Sequence, residues 1–174
     1  MKNIVLIGMS GVGKSVKGRY LAKYMGWRFL DTDRMISDEM GMTIEEIFEK
    51  HGEPFFRQKE REVLAYAMSF ENTVVSTGGG IILDPENVKL IKDRGVVFFL
   101  HGSIDSIASN IESSSIARPL LAGDGELRDR IERLYRSREA LYYSSCHMAI
   151  HVDGMTRSEF SRKIKDSYRK LLPC

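Results

Sequence analysis

The run Gly8-Met9-Ser10-Gly11-Val12-Gly13-Lys14-Ser15 satisfies the pattern G-x-x-x-x-G-K-[ST], and each fixed residue has a chemical task. Glycines let successive backbone N–H groups close around phosphate oxygens, Lys14 reaches the outer phosphates, and the Ser15 hydroxyl is a ligand for Mg2+. A glycine-rich turn with no ligand is the plain alternative. Context argues against it: the apolar Ile4–Ile7 precedes the loop, and from Ser15 to Met25 a helical pattern follows, with Tyr20, Leu21 and Tyr24 among its apolar positions. Strand, loop and helix stand in the order that phosphate binding at a helix N-terminus needs.

Three other sets of residues are chemically loaded. Asp31 and Asp33 follow Phe29-Leu30; two residues apart, they would project to one side of an extended segment, one toward Mg2+ and one toward an acceptor hydroxyl. A solvated turn or a helix cap explains the same residues equally well. Gly78-Gly79-Gly80 follows Val74–Thr77 and would bring backbone N–H groups close to a small ligand, although a tight strand-to-helix turn has the same composition. Arg57, Arg118 and Arg138 complete the sets; taken singly, arginines are ordinary surface ion-pair residues.

The elements that must position these groups alternate along the chain. Strand patterns fall at 4–7, 27–30, 73–76, 96–100 and 148–152, with Asp31-Thr32-Asp33 read as a polar turn. Helical patterns run at 15–25, at 35–50 with a break near Gly41, from Glu53-Pro54 through Ala67, and at 85–92, 103–111, 126–143 and 156–172. Apolar strands alternating with helices imply a parallel sheet covered on both faces, and ligands of such sheets gather at the carboxyl ends of the strands. The segment 112–125, with three serines, two glycines and Arg118-Pro119, reads as a mobile lid.

A chain of 174 residues fits one domain, 1–174. Its 26 basic and 24 acidic residues leave a net charge of +2, so no field of one sign argues for nucleic acid or a membrane surface. Cys146 and Cys174 lie in no metal-binding pattern and are expected to be reduced thiols, and the four histidines lack metal-ligand spacing. No apolar run approaches a membrane span and no leader pattern opens the sequence. The expectation is a monomeric cytoplasmic protein that binds small molecules.

Taken together and in order, the phosphate loop, Asp31-Thr32-Asp33, Gly52-Glu53 with Phe56-Arg57, Gly78-Gly79-Gly80, Arg118-Pro119-Leu120-Leu121, and Arg138 with Leu141-Tyr142 resemble the shikimate kinase family across nearly the whole chain. The resemblance implies a three-layer α/β/α phosphate-loop kinase fold with a central five-stranded parallel sheet and a mobile lid. It implies transfer of the ATP γ-phosphate to the 3-hydroxyl of shikimate, with Mg2+ as cofactor, in aromatic amino-acid biosynthesis. By matching positions, ATP would be held by Gly11, Val12, Gly13, Lys14, Ser15, Val16 and Arg118, and shikimate by Asp33, Arg57, Gly78, Gly79, Gly80 and Arg138. Mg2+ would sit on Ser15, with Asp31 acting through water. Lys14, Asp33 and Arg118 would be catalytic.

The sequence departs from the family pattern twice. Asn110-Ile111-Glu112 occupies the stretch where an arginine commonly stacks on adenine, and Ala140 stands where a proline often precedes the Leu-Tyr pair. Three other readings remain open at this level: a related metabolite kinase such as a gluconate kinase, a nucleotide-dependent switch, and a catalytically weak relative with a regulatory role. The chain has no N-K-x-D guanine motif, and the acceptor-side residues would be superfluous in a switch.

Overall fold

β1 (Asn3–Ile7) is buried along its whole length, as a strand that is apolar on both faces must be. In the computed structural model, which describes residues 2–114, 121 and 123–172, β1 forms the centre of a five-stranded sheet. It pairs in parallel with β3 (Thr73–Ser76) on one side, Val5 opposite Val75, and with β4 (Gly95–His101) on the other, Val5 opposite Val97. β2 (Arg28–Asp31) and β5 (Met148–His151) form the edges, both parallel, giving the order β2-β3-β1-β4-β5. The chain winds first to one side of β1 and then to the other. The end of β1 is therefore the topological switch point, where a parallel sheet opens a crevice for ligand.

Helices α1 (Lys14–Met25), α2 (Thr32–Met40), α3 (Ile44–Met68), α4 (Pro85–Arg94), α5 (Ile104–Glu112), α6 (Leu127–Ser145) and α7 (Arg157–Leu171) connect and cover the strands. Capping chemistry sets several starts. Thr43 and Glu46 form a capping box at α3, Thr156 and Glu159 another at α7, and Asp84 caps α4 with Pro85 in its first turn. α3 is kinked at Gly52, whose φ of 79° is left-handed. The two helical patterns read on either side of this point are thus two helical stretches that meet at a non-helical glycine.

The main core lies between the sheet and its helices. A second apolar cluster, Ile36, Ile47, Phe56 and Val63, ties α2 to α3 and holds these two helices, which carry Asp33 and Arg57, as one unit. One reading is corrected here. Asp31-Thr32-Asp33 is not an extended polar turn: Asp31 ends β2 and caps α2, accepting from Arg34 N at 3.2 Å, and Asp33 lies in the first helical turn. Local side-chain capping favours this geometry over extension. Arg118 and half of the lid expected at 112–125, namely 115–120 and 122, lie outside the described residues.

Candidate active site

The phosphate loop leaves β1 and enters α1 through Gly13, which caps the helix at φ 92° without a side-chain bond. A residue with a Cβ adopts that conformation only with strain, so glycine keeps the N–H groups of the first turn facing the loop. Lys14 is buried and folds across the loop, its Nζ donating to the carbonyls of Gly8 (2.8 Å) and Met9 (2.9 Å). Gly11, Val12 and Gly13 line the curve. Val16 is different: its side chain is exposed on α1, so only its backbone faces the loop's end of the helix.

Ser15 Oγ donates to Asp31 Oδ2 at 2.5 Å and stands 3.5 Å from Ser76 Oγ. An exposed hydroxyl beside one half-buried carboxylate is a hard oxygen set that fits Mg2+ completed by waters and phosphate oxygens. Among the described residues no group of three or more His, Cys, Asp or Glu gathers elsewhere to hold a metal.

Across the crevice, Asp33 is the most perturbed group. Its Oδ1 is buried without a hydrogen-bond partner, and burial, then the Asp31 and Glu60 carboxylates, push its pKa up to about 7, while Lys14 and Arg57 pull the other way. A carboxyl poised near neutrality, within the influence of the phosphate-loop lysine, is suited to receive a proton from a hydroxyl.

Arg57, on α3 and mostly buried, is held by two glutamates. Nε and Nη2 donate to Glu53 Oε1 at 3.2 and 3.0 Å, and Nη1 donates to Glu60 Oε2 at 2.8 Å. Three of the guanidinium's five hydrogens are thereby used, leaving one on each Nη for a ligand. Glu60 is 1% exposed; burial raises its pKa, and Arg57 and Arg138 oppose the rise.

The glycine turn lies between these groups. Gly78 N–H donates to Thr32 Oγ1 at 3.1 Å, so it is used internally and is unavailable to a ligand, contrary to the expectation for all three glycines. The Gly79 carbonyl accepts from Tyr142 Oη at 2.6 Å and from Arg138 Nη1 at 3.3 Å. The N–H groups of Gly79 and Gly80 carry no hydrogen bond among the described residues. Bare backbone leaves these side chains their room: a Cβ on Gly78 would come within 2.5 Å of Asp33 Oδ1, and one on Gly80 would displace the Arg57 guanidinium. Tyr142 stacks on Phe99 at 4.8 Å, fixing α6 and its buried Arg138 against the sheet.

The structure thus gathers Lys14, Ser15, Asp31, Asp33, Arg57, Gly78, Gly79, Gly80 and Arg138 around the ends of β1, β2 and β3. Sequence reasoning missed Glu60 and Thr32, which touch the functional residues rather than a ligand. The spacing of Arg57 and Glu60, three apart on a helix, was a signal for the first; nothing local marks Thr32. Beside the loop, away from Asp33, a cavity of about 190 Å³ is lined by Val12, Lys17, Ser106, Asn110, Asp153 and Met155 among others. Asn110, at the departure noted before the lid, donates to the Gly11 carbonyl at 2.9 Å.

A sequence model of the family described as shikimate kinase matches residues 10–169. The shikimate kinase of Caldicellulosiruptor bescii is 41% identical over 164 residues, which cover 94% of each chain. That of Caldanaerobacter subterraneus subsp. tengcongensis is 37% identical over 98% of each. Among solved structures, shikimate kinase from Acinetobacter baumannii in complex with shikimate superposes with a TM-score of 0.91 at 33% identity, covering 99% of this chain and 96% of that one. This phosphate loop, set opposite a buried acid and two arginines, belongs to a member of the shikimate kinase family.

Proposed function

We propose that this protein transfers the γ-phosphoryl group of ATP to the 3-hydroxyl of shikimate, yielding shikimate 3-phosphate and ADP. The observation that carries the reading is Asp33, a buried carboxyl with a free oxygen, set between the Lys14 loop and the Arg57–Gly79–Arg138 cluster. The two arginines, with the open N–H groups of Gly79 and Gly80, bind the acceptor's carboxylate, since a planar fork donates to it in pairs. Asp33 accepts the hydrogen bond of the attacking hydroxyl and takes its proton. The hydroxyl oxygen bonds to the γ-phosphorus as the bond to the β–γ bridging oxygen breaks, and ADP leaves with that electron pair.

Phosphoryl transfer needs positioning and charge neutralisation above all. Lys14 leaves its own carbonyls for the β- and γ-phosphate oxygens, and the N–H groups from Gly11 to Val16 hold the chain of phosphates. Ser15, with Asp31 through water, would hold Mg2+, which would supply charge neutralisation for the transfer. Arg118, outside the described residues, is assigned by the family resemblance alone as the cation that would neutralise charge on the transferring group. The cavity beside Val12 and Asp153 takes the nucleoside. No described helix is long and apolar enough to cross a membrane.

The experiment is an acceptor panel. With ATP and Mg2+, shikimate should accelerate ADP release by orders of magnitude, while gluconate should give little. Equal release with every acceptor, or none with shikimate, overturns the reading.

A further inference from the structure

Lys17 has no part in the phosphate-loop pattern, yet its placement is unusual for a lysine. It is the fourth residue of α1, and its side chain runs back toward the helix N-terminus, as helical side chains do. Its ammonium ends beside the loop: a Cβ built on Gly13 would lie 3.2 Å from Lys17 Nζ. Three features make this position unfavourable for a cation without an anion. The N-terminus of α1 carries the positive end of the helix dipole. The residue is half-buried, so its ammonium is partly withheld from water. No carboxylate among the described residues pairs with it within 4 Å. Asp153, which lines the cavity beside the loop, is already held by Ser103 N–H at 2.8 Å and lies 3.6 Å from His151.

A lysine on an exposed helix normally extends into water. Here it lines the cavity shared with Val12, Asn110 and Asp153. The loop is therefore bracketed by two ammonium groups. Lys14 lies at the Gly8–Met9 end, facing the acceptor side, and Lys17 lies at the Gly13 end, facing the nucleoside cavity.

We propose that Lys17 is a second phosphate-binding cation, which grips the nucleoside-proximal α-phosphate of the nucleotide while Lys14 serves the distal phosphates. The proposal rests on the reading of this loop as an ATP site. An α-phosphate relieves the unpaired cation at the helix end and fixes where the polyphosphate leaves the loop for the cavity.

The test is calorimetric binding of adenosine, AMP and ADP to wild type, Lys17→Met and Lys17→Arg, with steady-state kinetics on each. Lys17→Met should weaken AMP and ADP by the same factor, about tenfold for a lost charge-assisted bond. It should leave adenosine binding and KM for shikimate unchanged, raise KM for ATP, and flatten the salt dependence of ADP binding. Lys17→Arg should recover ADP binding to within about threefold of wild type. Unchanged ADP affinity in Lys17→Met overturns the proposal, and so does an equal loss for adenosine, which would mark a packing effect. If Lys17→Met fails to fold, Lys17→Gln carries the same comparison. A wild-type protein that binds ADP but does not phosphorylate shikimate refutes the functional reading alone.

Discussion

Replacing Asp33 by asparagine should make the protein more stable at pH 8 and nearly inactive. The folded structure holds this carboxyl at about 7, against an ordinary 3.8. Below 3.8 it is protonated whether the chain is folded or not, and its ionisation does not affect stability. Between 3.8 and about 7 the unfolded chain releases the proton while the folded one keeps it, so stability falls as pH rises, and the loss is complete above the folded value. At about 1.4 kcal/mol per pH decade this amounts to roughly 4 kcal/mol. Relaxation and water entry reduce it, so about 2–4 kcal/mol is expected, or roughly 5–15 °C in Tm for a chain of this size. Asparagine keeps the shape and removes the ionisation. Glu60 is shifted the same way and remains in both proteins, so the difference in Tm between Asp33→Asn and wild type, followed from pH 4 to pH 8, isolates Asp33. That difference should grow through the same window. Turnover with shikimate should fall by about 10²–10⁴, the usual worth of a positioned base, and wild-type kcat/KM should rise with pH to a plateau above about 7. Parallel Tm curves for the two proteins, or activity retained in Asp33→Asn, would refute the argument.

Two further substitutions examine the acceptor side. Gly80→Ala puts a methyl group where the Arg57 guanidinium lies; the flexible arginine yields, so Tm should move by only a few degrees, while KM for shikimate rises about tenfold or more and KM for ATP stays, as initial-rate kinetics would show. Tyr142→Phe removes the 2.6 Å bond to the Gly79 carbonyl but keeps the Phe99 stack. The expected loss is about 1–2 kcal/mol, read as a lower denaturant midpoint at unchanged slope, and an unchanged midpoint would contradict the assigned role of the hydroxyl.

The donor half of the site was legible because its chemistry is written in consecutive residues. Gly8 to Ser15 combines a backbone need for glycine with two fixed side chains, and strand and helix periodicity on either side confirm the setting. The acceptor half is dispersed. Asp33, Arg57, Gly79 and Arg138 come from separate elements, and only a resemblance in order along the chain joined them. Where that reading failed, local hydrogen bonding decided the outcome: the Asp31 carboxylate caps α2 and turns the expected extended segment into a helix start. Thr32 in turn takes the Gly78 N–H and so withdraws one donor from the ligand. The cap was one of the readings the local sequence allowed, whereas the Thr32–Gly78 bond joins residues 46 apart and has no spacing that a single sequence reveals. Glu60 carried a spacing signal, but a glutamate three residues after an arginine on a charged helix looks like a surface ion pair until burial is known.

The two halves share an electrostatic logic that explains why neither is optimised for the protein's own stability. On the acceptor side, a carboxyl is buried beside two other acids with one oxygen unbonded. On the donor side, a lysine lies against the positive end of a helix with no carboxylate paired to it among the described residues. Each arrangement is unfavourable by itself, and each is relieved by the substrate assigned to it: the acceptor hydroxyl bonds to Asp33, and phosphate neutralises Lys17. Internal partners could have removed both costs, as Glu53 and Glu60 do for part of Arg57. A partner strong enough to do so would compete with the ligand for the same hydrogen bonds. The arginine shows the compromise, because its glutamates fix the orientation of the fork while leaving one hydrogen on each terminal nitrogen. Groups that bind substrate through a single charge or oxygen leave no such division open, so Asp33 and Lys17 remain unpaired where Arg57 does not.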